Sequence, residues 1–129
     1  MTSQGTVGSY KDLKFWQRAK EVSLLIVKLI RKLPNEKVSW IISDQILRSS
    51  FSVGANIAEG FGKYKGKEYS RFILMALGSA NETEYWLELI KDLYLDLNQE
   101  VEEILSKNKE VIKMLTVTLK KLRQKRPLL

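Results

Sequence analysis

Histidine and cysteine are both absent from this 129-residue sequence, and proline occurs only twice. Without imidazole or thiol, no Ser–His or Cys–His nucleophile can be assembled, and no histidine can ligate zinc, haem or a di-iron carboxylate centre. Disulfides are ruled out as well, which is compatible with the cytoplasmic location expected here. No glycine-rich phosphate loop or dinucleotide fingerprint is present. No run of about 18 apolar residues occurs, so no membrane span is expected. The first nine residues lack the basic start and apolar run of a secretory signal and read as part of a flexible leader, residues 1–10. These absences point to a protein with no catalytic residues, metal or cofactor.

What is present is helical periodicity in four segments. In the first, Leu13, Trp16, Ala19, Val22, Ile26, Leu29, Ile30 and Leu33 recur at spacings of three and four. Pro34 closes that segment, and Ser39 is placed to cap a second helix over about residues 40–59. Gly60, Gly62 and Gly66 then break the chain. A third helix over about 67–95 buries Phe72, Met75, Ala76, Ser79, Ala80, Thr83, Trp86, Leu87, Ile90 and Leu93. Its middle is made of small residues, which lets another helix approach closely. Residues 99–123 form the last helix, with Val101, Ile104, Leu105, Asn108, Val111, Ile112, Leu115, Leu119 and Leu122 in heptad-like order. Short links favour an all-α, antiparallel up-and-down four-helix bundle, a single domain over 11–126 with a C-terminal tail at 127–129.

The second helix is unusual in being apolar on two sides. At about 100° per residue, Ile42, Ile46, Ser49, Val53, Ile57 and Gly60 share one face. Leu47, Phe51, Gly54, Ala55 and Ala58 fall largely on the other, with a polar stripe of Gln45, Arg48, Ser52, Asn56 and Glu59 between. Soluble monomers tend to avoid a second sticky face, so Leu47, Phe51, Gly54, Ala55 and Ala58 are expected to form a contact between copies. A central helix buried all round is the alternative. Gln45, Arg48, Asn56 and Glu59 are expected to act structurally through hydrogen bonds, together with Arg71, Ser79 and Glu82. A carboxylate chemistry based on Glu59 and Glu82 is the weaker reading of that pair.

Several of these segments carry a likeness. Leu13 to Ala19, Gln45 to Arg48, Asn56 to Gly60, Glu68 to Phe72, and Gly78 to Glu82 together resemble the four-helix-bundle proteins encoded in intervening sequences of bacterial 23S rRNA genes. The likeness runs from Leu13 to about Leu122. It implies a homo-oligomer, with a ring-shaped pentamer the assembly. The chain is also similar to accessory proteins of diversity-generating retroelements, which implies nucleic-acid binding and a reverse transcriptase as partner. Ser49-Ser50-Phe51 stands where that family usually has a second arginine followed by small residues, and Gly54 replaces a common proline.

Charge gives an independent pointer. The formal net charge is +7, from 22 basic and 15 acidic residues. Residues 1–34 hold seven basic and two acidic groups, residues 67–98 three and six, and residues 99–129 eight and four. The first and last helices are neighbours in an up-and-down bundle, so their excess is expected to merge into one basic surface. The densest cluster is Lys120, Lys121, Arg123, Lys125 and Arg126; Arg18, Lys63 and Lys65 are secondary candidates. Tyr64 is the one attractive aromatic for stacking on a base. The expected ligand is the backbone of RNA or DNA, bound with steep salt dependence. A protein-interaction scaffold docking through Glu84, Glu88 and Asp92 is the competing reading.

Overall fold

The computed structural model describes residues 8–63 and 66–124. Among these residues there are four long helices and no strand: α1 Lys14–Ile30, α2 Lys37–Phe61, α3 Gly66–Leu93 and α4 Asn98–Gln124. Short 3-10 turns at Tyr10–Asp12 and Leu95–Leu97 precede α1 and α4. No helix of the described residues is long and apolar enough to cross a membrane.

Local chemistry sets the helix starts. Ser9 accepts from the Lys11 amide while Asp12 accepts from the Ser9 amide, a reciprocal cap that fixes the entry to the first turn. The expectation that Ser39 caps α2 is corrected. That helix begins three residues earlier than expected, at Lys37, after an extended Glu36 that supplies no side-chain cap. Ser39 is instead buried, its hydroxyl 3.0 Å from the Tyr94 hydroxyl at the end of α3. The first helix ends at Ile30 rather than Leu33, because Arg31 to Leu33 already tighten into turns before Pro34.

The core follows the three-and-four spacing. Ala19, Val22, Ile26 and Leu29 of α1 meet Ile42, Ile46, Val53 and Ile57 of α2, Ile73, Ala76, Ala80, Leu87 and Ile90 of α3, and Val101, Leu105, Val111 and Leu115 of α4. Full burial of one such branched side chain stabilises by roughly 1.5–3 kcal/mol. Two residues expected in the α3 stripe lie outside it: Met75 is 42% and Leu93 50% exposed. They sit on the flank of the stripe, where the 3.6-residue repeat drifts away from the core.

Named contacts give each pairing. α2 meets α3 through Ser39–Tyr94, Ser49–Thr83 and Ser52–Ser79. α4 meets α3 where the Asn108 amide donates to the Ala80 carbonyl at 3.0 Å. α1 meets α2 where the Ser23 hydroxyl donates to the Ser50 carbonyl at 3.1 Å. α2 and α3 also approach closely at the end of α2, where a Cβ on Gly60 would stand 2.6 Å from the Phe72 Cβ. Gly78, on the outer side of α3, has nothing within 4 Å of the same position.

These two glycines should respond oppositely to alanine. Gly78→Ala should raise stability by about 0.5–1 kcal/mol through helix propensity alone. Gly60→Ala should lower it by about 1–2 kcal/mol, since overpacking there exceeds the propensity gain. Urea unfolding of both variants checks the pair of signs.

Candidate nucleic-acid interface

Opposed helices bring distant parts of the sequence to one end. The close of α2, the opening of α3 and the last turns of α4 meet there, as the Gly60–Phe72 approach and a depression shared by Lys67, Leu119 and Arg123 show. α1 starts toward the same end, since Arg18 reaches Glu110 while Lys32, at its close, pairs with Glu100. Eight cations gather at this end: Lys11, Lys14, Lys63, Lys67, Arg71, Lys120, Lys121 and Arg123. Among the described residues, Asp12, Glu59 and Glu68 oppose them. The other end has the reverse balance, with Glu36, Asp44, Glu88, Asp92, Asp96, Glu100, Glu102 and Glu103 against Lys28, Arg31, Lys32, Lys37 and Lys91.

Ion pairing separates committed cations from available ones. Lys63 lies 3.8 Å from Glu59 and 5.0 Å from the centre of the Phe72 ring. Arg71 pairs with Glu68 at 3.1 Å. Lys120, Lys121 and Arg123 are exposed and have no ion pair among the described residues. Tyr64, Lys65, Lys125 and Arg126 lie outside the described residues. Lys11, Lys14 and Lys67 were not singled out from the sequence. Each stands at the start of a helix, and only the reversal of the chain carries it toward the Lys120 to Arg123 cluster.

Arg18 is placed differently. Its Nη1 donates to Glu21 at 2.6 Å, and its Nε lies 2.8 Å from Glu110 of α4, too bent for a hydrogen bond. Lys107 of α4 reaches back to Glu21 at 3.1 Å, and Lys32 pairs with Glu100. The groove between α1 and α4 is therefore laced with charges of both signs. It is not the merged basic surface expected from counting charges along the two helices. The excess cations collect at the end of the bundle instead.

The polar stripe of α2 faces α3. Gln45, Arg48, Ser49, Ser52, Ser79 and Glu82 line one cleft of about 310 Å³. The Ser49 and Thr83 hydroxyls are 2.9 Å apart, as are those of Ser52 and Ser79. Asn56 donates to the Ser52 carbonyl and hydroxyl within its own helix, both at 2.9 Å. Glu82 accepts from the Trp86 indole at 3.0 Å rather than from Arg48 or Arg71. Arg48 has no ion pair among the described residues. Glu59 is exposed beside Lys63 and does not line this cleft. No group of three or more acidic side chains placed to hold a metal occurs among the described residues.

The second apolar side of α2 divides in two. Gly54 is covered within the chain, since a Cβ there would stand 3.5 Å from the Trp16 indole nitrogen of α1. Leu47 and Ala58 are half-buried, while Ala55 is exposed and Phe51 is 50% exposed. Trp40, at 59%, and Leu24 of α1, at 56%, are further exposed apolar side chains. The helix is thus not buried all round.

Four helices, one cation-rich end and the lack of imidazole or thiol define a small basic all-α protein. The chain belongs to the 23S rRNA-intervening sequence protein family, whose profile matches residues 11–117. The likeness read from its motifs is shown by that match. A crystal structure of a protein of unknown function from the S23 ribosomal protein family of Bacteroides thetaiotaomicron is similar, at 35% identity and a TM-score of 0.75. The likeness covers 82% of this chain and 98% of that one. No curated protein matches the chain.

The α1–α4 ion pairs predict a pH response. The hydrogen bond from Arg18, then that from Lys107, holds the Glu21 carboxyl below its ordinary value of 4.5. A lowered folded pKa stabilises fully above the unfolded value and is lost as pH falls through the folded one. Urea midpoints followed from about pH 6 to pH 3 should therefore drop less for Glu21→Gln than for the wild type. Equal acid losses would remove Glu21 from this role.

Proposed function

We propose that this chain is a non-catalytic, self-associating protein that binds the backbone of RNA or DNA. It would do so as an antiparallel up-and-down bundle. The observation that carries the reading is the set of exposed, unpaired cations Lys120, Lys121 and Arg123 at the end where three other helix termini add Lys11, Lys14, Lys63 and Lys67. Such a cluster attracts phosphates over a Debye length of about 8–10 Å, while carboxylates elsewhere are too distant to cancel it. Membership of the 23S rRNA-intervening sequence protein family is compatible with this ligand class. Lys65, Lys125 and Arg126, outside the described residues, belong to the same proposal by their charge alone. Arg18 would contribute least, because Glu21 and Glu110 already neutralise it.

Self-association is supported by Phe51, which stands on the outer side of α2 with Ala55 and the half-buried Leu47 and Ala58. The number of copies that the resemblance implies is five. A second reading is favoured by the outer side of α3, where exposed Tyr85 and Leu93 accompany Glu88 and Asp92. There a protein partner, a reverse transcriptase among the candidates, would dock. One stoichiometric protein that survives nuclease and high salt would mark that case.

Two measurements test the main reading. Affinity for RNA should fall with salt at a log–log slope of roughly −4, as expected for four or five phosphate contacts. Absence of retention of any nucleic acid at low salt would refute binding. Light scattering should report a particle several times 14.9 kDa, and Phe51→Lys should shift it toward the single chain. A stable wild-type particle of one chain at micromolar concentration would refute self-association.

A further inference from the structure

The cation-rich end contains a built depression between the opening of α3 and the last turns of α4. It measures about 210 Å³ and is lined by Lys67, Ser70, Arg71, Leu74, Leu119 and Arg123. Ser70 is only 8% exposed, and its hydroxyl has no hydrogen-bond partner among the described residues. That hydroxyl is not sealed from solvent, since the buried side-chain polar atom left without a hydrogen bond among the described residues is Arg18 Nε, so the hydroxyl stands open to an acceptor entering the depression. Lys67 and Arg123 are exposed at the rim and have no ion pair among the described residues. Arg71 is held by Glu68 at 3.1 Å and lies 4.9 Å from the Phe72 ring, so its guanidinium is already positioned. The remaining wall is apolar: Leu74 is 48% exposed beside buried Leu119.

We propose that this depression seats one nucleotide unit of a single-stranded nucleic acid. Its phosphate accepts from the Ser70 hydroxyl between Lys67 and Arg123. Its sugar or unstacked base lies against Leu74. A cationic rim alone would suit any anion. A hydroxyl donor and an apolar wall beside the cations suit a phosphate that carries a sugar and base. The proposal rests on the nucleic-acid reading above and adds to it a site, not only a field.

The test uses the full chain and a labelled single-stranded RNA of about 20 nucleotides, followed by fluorescence anisotropy across a salt series. Ser70→Ala removes a donor and no charge, so affinity should fall roughly tenfold with the salt slope unchanged. Lys67→Gln with Arg123→Gln should weaken binding and flatten the slope by about 1.4. Lys28→Gln with Lys37→Gln, at the opposite end, should change affinity by no more than about twofold at moderate salt. If Ser70→Ala binds as tightly as the wild type, the seat is overturned while the general reading stands. If the wild type retains no RNA at low salt, the general reading fails first. Should Ser70→Ala prove unfolded by circular dichroism, Leu74→Glu against Leu93→Glu decides, and equal losses overturn the proposal. Uridine monophosphate binding as tightly as the oligomer would mark a free-nucleotide site and overturn it too.

Discussion

The seam between α2 and α3 is the constraint on which the remaining geometry rests. Ser49, Ser52, Ser79 and Thr83 put short hydroxyl side chains where two helices meet, and Ala76 and Ala80 continue the run of small side chains on α3. Serine and threonine are indifferent helix formers because their hydroxyls compete for backbone groups. Here Ser49 and Ser79 satisfy hydroxyls on the facing helix, so the polar atoms cost little when buried. Gly60 completes the seam, since any larger side chain would collide with Phe72. Close approach at that point brings the opening of α3 against the close of α2. The cation-rich end follows from this closure.

Charge acquires a different meaning once the chain doubles back. Counted along the helices, α1 and α4 are positive and α3 is negative. In space the division is by end, because each helix contributes its terminal turns to whichever end it reaches. α3 shows this most clearly: Lys67 and Arg71 stand at one end, while Glu88 and Asp92 stand at the other. The helix carries a negative total and still supplies two cations to the basic end. α1 and α4 lose much of their lateral charge to each other through Arg18, Glu21, Lys107 and Glu110. Such exposed pairs contribute modestly to stability, yet they decide which cations remain available.

Helix number, helix type and the central core positions were legible from the sequence because a 3.6-residue repeat fixes which side of each helix is apolar. Ile26, Ile46, Ala80 and Leu115 needed nothing more. Neighbour identity was not legible from that repeat. The sequence placed Gly54 on an outer face, but it could not show that Trp16 reaches across from α1 to cover it. Ser39 looked like a cap by residue type, whereas its partner Tyr94 lies 55 positions away. The densest part of the basic cluster was visible as a run from Lys120 onward. Lys67 and Ser70 were not, since their significance depends on a contact between α3 and α4. No local pattern announces a hydroxyl that reaches the wall of a depression only after folding.

The two proposed surfaces lie in different directions, and that geometry bears on how they would work together. Phe51 and Ala55 project from the flank of α2, while Lys120, Lys121 and Arg123 occupy an end. Copies joined flank to flank under cyclic symmetry all point the same way along the axis. With the helices near that axis direction, every cation-rich end would fall on one rim and every acidic end on the other. Phosphate contacts would then repeat around the rim, raising effective concentration for a strand that spans neighbouring copies. An isologous pair would behave differently, because a two-fold axis across the helices turns one copy over and separates the two cationic ends. For a protein that binds one continuous strand, the polarity of charge along the bundle would therefore suit an assembly axis that runs along the helices better than one that lies across them.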